Sequence, residues 1–258
     1  MKHWLDYFQH NRDHRFDIPW ERGVHPEPRL RGPLIASLQR FQVGESGTGS
    51  HLRVKAAATN DPDYQAALNL FIKEEQEHAR LMAEVLQRLG APLLGDHWSD
   101  RIFVLLRRLF GLNLELLVLL LPEMIAKRFF RALHDGTRDP VLCAVFAQIG
   151  HDEEGHLAFH TDYLQHAIAP LPLWKRAVLR ALWRVAFRVA CLVVMFDHRA
   201  VLRASEVSWA TFWWDCGLIF DEIAAGIFSC APTPVLASGV PNLTVCYSAN
   251  EKSLGSSR

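Results

Sequence analysis

The stretch His151-Asp152-Glu153-Glu154-Gly155-His156-Leu157-Ala158-Phe159-His160 sets a carboxylate, Glu153, one helical turn before an imidazole, His156. Side chains at i and i+3 share one helix face, so this pair can reach a single metal ion. The same spacing recurs in Lys73–Met82, KEEQEHARLM, as Glu75 and His78. Each pair has a forerunner, since Glu45 precedes Glu75 by thirty residues and Glu123 precedes Glu153 by thirty. The chain thus carries a half-pattern Glu–x29–Glu–x2–His twice.

Helix phase puts these groups among apolar residues. Around the opening stretch, Val145, Ile149, Glu153, His156, His160 and Tyr163 form one stripe at steps of three and four, on a helix expected from about Val141 to Ala169. Before it, Leu112, Leu116, Leu119, Glu123, Ala126 and Phe130 define a helix from about Asn113 to Leu133. Glu123 is embedded in that apolar surface, where an unpaired carboxylate is costly. Glu115, the rival ligand, falls off both the stripe and the spacing, and Pro122 is expected to kink the helix. Further back, Asn60-Asp61-Pro62-Asp63 opens a helix ended by Gly90 and Pro92, with Tyr64, Leu68, Phe71, Glu75, His78 and Met82 inward. From about Pro33, Leu34, Leu38, Phe41 and Glu45 make a fourth stripe. The segment Gly44–Gly49 then either breaks that helix or is held in it, since each Gly disfavours helix by about 1 kcal/mol against Ala. Small residues beside a ligand would leave room for dioxygen or substrate.

A short turn, a long connection over residues 91–112 and another short turn link these four helices. Motif, spacing, phase and connectivity together resemble the ferritin-like di-iron or di-manganese carboxylate proteins. The resemblance covers about residues 33–169 and implies an all-α, ferritin-like four-helix bundle with one long crossover. It implies a dinuclear site in which Glu45 and His78 serve one metal, Glu123 and His156 the other, and Glu75 and Glu153 bridge. Carboxylate and imidazole ligands suit two iron ions, with manganese or a mixed pair as alternatives. Four carboxylates balance the charge of two divalent ions. Asp152-Glu153-x-x-His156 is also similar to the Asp-Glu-x-x-His string of bacterial di-iron hydroxylases. By that likeness Asp152 holds His78 across the bundle and Glu74 holds His156, as ligating imidazoles usually donate their second N–H to a carboxylate. Surface acids are the plainer reading of both. His160 stands one turn beyond His156 as a hydrogen-bonded core histidine, a proton donor or an extra ligand.

The function so implied is a dinuclear metal oxidoreductase that activates dioxygen and oxidises or hydroxylates a small, apolar organic substrate. No CxxC pair supplies a built-in electron-transfer module, so electrons come from an external donor or from the substrate. The alternatives are a ferroxidase of iron storage or detoxification, and a metal-free helical binding protein.

The remainder of the 258 residues is read more plainly. Residues 1–32, rich in His, Arg, Pro and Trp without a period, are expected to be an irregular arm across the bundle. Residues 170–229 hold additional helices. One, about Leu173–Met195, carries Arg176, Arg180, Arg184 and Arg188 as a ridge at steps of four, read as a solvated face. The alternative is contact with anionic lipid or an acidic partner over residues 174–188, aided by Trp174 and Trp183. The next, about Ser208–Phe228, covers the bundle or forms a homodimer face. Residues 230–258 are read as a loose tail. Lys and Arg total 28 against 28 Asp and Glu, which gives no reason to expect a nucleic-acid partner. Five scattered cysteines and no apolar leader point to reduced thiols in a cytoplasmic protein.

Overall fold

The computed structural model describes residues 1–95 and 111–229, and all the regular structure among them is helical. The helix start at Ser99-Asp100, the tail over 230–258, Cys230 and Cys246 lie outside the described residues. The helices are α1 (Lys2–Asp13), α2 (Pro28–Glu45), α3 (Ser50–Ala57), α4 (Pro62–Arg88), α5 (Leu112–Asp135), α6 (Pro140–Ile168), α7 (Leu173–Asp197), α8 (Arg199–Ala204) and α9 (Trp209–Phe228). A short 3-10 turn, Trp20–Arg22, lies between α1 and α2.

Local chemistry fixes the starts of the long helices. Asp61 accepts from the Tyr64 amide and Asp139 from the Leu142 amide, each with a proline at the first helical position. Ser208 caps α9 by accepting from the Thr211 amide. Beyond the caps, burial of one face decides. α2 packs on α4, α5 along α6, and α4 against α6, enclosing Leu34, Leu38, Phe71, Met82, Phe130 and Val145. α5 continues through Pro122.

Three expectations are corrected. The N-terminal arm is not irregular, because Trp4, Phe8 and Asn11, at steps of four and three, form the buried face of α1. Trp4 donates to Asp162 Oδ2 on α6 at 2.8 Å, and Phe8 meets Phe159 edge-on. α2 likewise begins at Pro28, five residues before the apolar stripe that marks it. The connection from α2 to α4 is not a short turn either. The helix stops at Glu45, and Gly49, at φ +65°, opens α3. A Cβ there would sit 2.7 Å from Ile72, so both backbone and space require glycine.

The arginine ridge of α7 is the third correction, since three of its four side chains are engaged by α9 and the residue after it rather than left wholly to solvent. Arg176 is buried and donates to the Ser229 carbonyl at 2.7 Å. Arg184 pairs with Asp221 at 2.6 Å, and Arg188 lies 4.5 Å over the Trp213 ring. Both partners belong to α9, which covers α6 and packs on α5 and α7. Guanidinium groups reach this seam because they can stack on aromatic rings and pair with carboxylates at once. Trp183, also on α7, donates to the Leu117 carbonyl of α5 at 2.7 Å. No helix among the described residues is long and apolar enough to cross a membrane, and among the described residues no disulfide joins Cys143, Cys191 and Cys216 to one another.

Candidate metal centre

Glu75 and His78 on α4 and Glu153 and His156 on α6 face one another across the helix interface, as their phase requires. Glu45 reaches the same centre from the last residue of α2. Ligand atoms of Glu45, Glu75 and His78 lie within 4.8 Å of one another, and so do those of Glu75, Glu153 and His156. Glu75 therefore belongs to both groups. His78 Nδ1 is also 3.8 Å from Glu153 Oε1, which ties the two groups together.

Glu123 is buried on α5 but joins neither group. Its charge raises the proton affinity of both Glu45 and Glu153, so it faces the same centre. Glu115 is buried as well, about two turns earlier on α5, where it pairs with Lys55 of α3 at 2.6 Å. That cation explains how a carboxylate off the stripe is tolerated in the core.

The imidazoles are held crosswise. His78 Nε2 is 2.9 Å from Asp152 Oδ2 on α6, and His156 Nε2 is 3.0 Å from Glu74 Oε2 on α4. Neither acid is a surface group, since Asp152 and Glu74 are both buried. A carboxylate accepts only, so each Nε2 carries the proton and each Nδ1 is turned toward the glutamates. His78 Nδ1 is fully buried and has no hydrogen-bond partner among the described residues, like Glu153 Oε2.

Sequence reasoning missed the groups that hold this arrangement from α1. Asn11 Nδ2 donates to Glu74 Oε1 at 2.7 Å and to Asp152 Oδ1 at 2.8 Å, joining the two acids. Arg15, just beyond α1, contacts Asp152 Oδ2 at 2.7 Å and lies 3.8 Å from Glu74. Gln148 Nε2 donates to Asp152 Oδ1 at 2.9 Å. A signal existed, because Trp4, Phe8, Asn11 and Arg15 keep a helical step that three polar-flanked turns conceal. Tyr7 closes the contact against Gly155, where any side chain would strike its ring. Burial, then the neighbouring Glu74, pushes the Tyr7 phenol up to about 12.

His160 is not a hydrogen-bonded core histidine. Both its nitrogens lack a hydrogen-bond partner among the described residues, and Nε2 points at Glu123 Oε1 from 4.0 Å. Phe71 stands edge-on to both His156 and His160, at 4.7 and 4.6 Å between ring centres. Burial and the charge on His156 push His160 down to about 3, so it is neutral near neutrality.

The electrostatics are those of carboxylates crowded without enough cations. Burial, then the charge of Glu75, holds the Glu45 and Glu153 carboxyls well above their ordinary range. Burial also opposes ionisation of Glu75, but hydrogen bonds from Glu45 and His156 prevail and hold it below that range. His156 is lifted well above its ordinary value, because its bonds to Glu74 and Glu75 outweigh burial. A metal fits this donor set. Divalent charge would replace the protons on Glu45, Glu153 and His156, and would give the orphaned His78 Nδ1 and Glu153 Oε2 a partner. Imidazoles backed by carboxylates are the usual arrangement at such sites.

The fold and site together define an all-helical protein with a buried carboxylate–histidine cluster able to hold metal. Comparison with family models, curated proteins and solved structures returns no match for this chain.

Proposed function

We propose that the cluster is a dinuclear metal site on a ferritin-like four-helix bundle, that the ions are iron, and that the protein is an oxygen-activating oxidoreductase. The observation that carries this reading is the crosswise support of two fully buried imidazoles, His78 by Asp152 and His156 by Glu74. A histidine kept for packing has no need of a carboxylate behind it and a row of glutamates before it. A metal ligand needs both, one to set the tautomer and the other to complete the donor set.

In this reading Glu45, Glu75 and His78 hold one ion, and Glu75, Glu153 and His156 the other, with Glu123 directed at the centre from α5. When bound, a ferrous pair supplies the electrons with which dioxygen is reduced and the substrate then oxidised. The chain's own groups set the conditions. Asp152 and Glu74 keep the Nε2 protons in place, and Phe71 and Phe8 pack against the His156 ring. Glu45 and Glu75 remain half-buried, and a Cβ on Gly44 or Gly47 would meet open space, so small molecules reach the centre past the end of α2. His160, neutral and directed at Glu123, is placed to hold or pass a proton on the far side.

The test is metal content by elemental analysis of protein expressed with iron and manganese both supplied. About two ions per chain are expected, and they should be lost in the Glu75→Ala, Glu153→Ala double variant. A folded parent that takes up no metal after anaerobic ferrous loading would end the proposal.

A further inference from the structure

A different surface stands apart from this cluster. With its arginines turned to α9, α7 presents the opposite face to solvent, and that face is apolar. Val178, Leu182, Val185, Val189, Leu192 and Phe196 are all more than half exposed. They follow one another at steps of four and three, making an unbroken stripe along α7. Trp174 continues it at the N-terminal end, and Trp214 and Leu218 of α9 are bare as well. The stripe and its end residues leave on the order of 1,000 Å² of apolar side chain in water, where the largest patch on a monomer is usually about 300–600 Å².

Charge decides what fits it. Residues 173–196 contain Lys175 and four arginines and no acidic residue. A groove of about 620 Å³ runs beside the stripe, lined by Arg176, Arg180, Arg184, Leu173 and Phe228. Arg176 and Arg184 are engaged there by the Ser229 carbonyl and Asp221, and Arg180, partly exposed beside the apolar bed, offers the pairing that a phospholipid presents in reverse. A second copy of the helix laid on the stripe would bring one basic row toward another, and the α9 acids beside the arginines, Asp215 and Asp221, are paired with Arg128 and Arg184.

We propose that α7 is an interfacial helix that lays its apolar stripe into the surface of an anionic bilayer, with Arg180 at the edge of the adjoining groove meeting a phosphate headgroup. The stripe spans about 33 Å at 1.5 Å per residue, enough for a helix lying in the plane of the interface. Trp174 sits at its N-terminal margin, where an amphipathic ring favours the boundary between headgroup and acyl chain. The inference does not depend on what the buried cluster holds.

The experiment is flotation of the full chain with vesicles of phosphatidylcholine alone or with about one-third phosphatidylglycerol, alongside sedimentation velocity without lipid. We expect flotation with the anionic vesicles that weakens as salt rises. Val185→Asp with Val189→Asp should reduce it by about tenfold or more, and Arg180→Glu by on the order of tenfold, with unchanged melting for the valine pair, whose side chains are exposed. No flotation on either vesicle overturns the proposal. So does equal flotation on both that Arg180→Glu leaves untouched, or a lipid-free dimer that Val185→Asp converts to monomer.

Discussion

The two copies of the Glu-x-x-His motif look alike in sequence and differ in what surrounds them. Asp152 of the α6 copy receives Asn11, Arg15 and Gln148 besides His78. Glu74 of the α4 copy receives Asn11 and His156, with Arg15 at 3.8 Å. One turn past the ligand imidazole, α6 has His160 where α4 has Met82. The partner glutamates differ too, Glu123 lying mid-helix and buried, and Glu45 half-buried at the end of α2 beside open glycines. The heavily braced acid, Asp152, thus backs His78, which groups with half-buried Glu45, and the lightly braced one, Glu74, backs His156, which groups with buried Glu153.

That contrast can be broken most sharply at Asp152. Asp152→Ala leaves the Arg15 guanidinium and the His78 ring without their acid, and should destabilise the metal-free protein by about 3–5 kcal/mol. Glu74→Ala removes a partner of fewer groups and should cost less than half of that; chemical denaturation of the two variants gives the ratio, and equal losses would erase the distinction. Next in size, Gly155→Ala forces Tyr7 out of its place against α6. We expect a loss of about 1–3 kcal/mol, relieved by pairing it with Tyr7→Ala, as melting of the single and double variants would reveal. At the end of α2 the sign reverses. Gly44 lies within α2 with nothing near its missing Cβ, so Gly44→Ala should raise stability by up to about 1 kcal/mol while slowing oxygen consumption, if the small residues there serve access.

The groups around the centre should also answer pH differently. Glu45 and Glu153 hold protons in the metal-free fold that the unfolded chain releases near 4.5. His156 keeps a proton that the unfolded chain releases near 6.5. Stability from these groups is complete below the unfolded values and drains away as pH rises toward the folded ones. Asp152 has the opposite sign, being held below its ordinary 3.8 by His78 and Arg15 against burial, and its contribution is lost only in acid. His160, neutral down to about 3, subtracts stability as pH falls below 6.5. The metal-free protein should therefore melt at falling temperature as pH is raised above neutrality. Protein loaded with manganese should not, because its ligands are already deprotonated. Parallel slopes for the two forms would mean that the ion does not occupy these groups.

Sequence periodicity reached far into the core and stopped at its edges. The stripes of α4, α5 and α6 carried Glu75, His78, Glu123, Glu153 and His156 inward, because a 3.6-residue repeat is local and survives any packing that buries one face. α1 escaped notice because only Trp4, Phe8 and Asn11 are buried in a helix otherwise polar. The α7 ridge was misjudged for a related reason. Four arginines in a row read as a wet face until α9 supplies Asp221 and the Trp213 ring to receive them.

What the chain determined by itself is therefore the spacing of donors along each helix and the face on which they lie. Which donor meets which was decided by tertiary packing. His78 finds Asp152 from 74 residues away and His156 finds Glu74 from 82. Asn11 closes both from a helix that the ligand pattern does not include. Those contacts depend on helix register and crossing, which are set by the fit of whole faces against one another, and no local repeat contains that information.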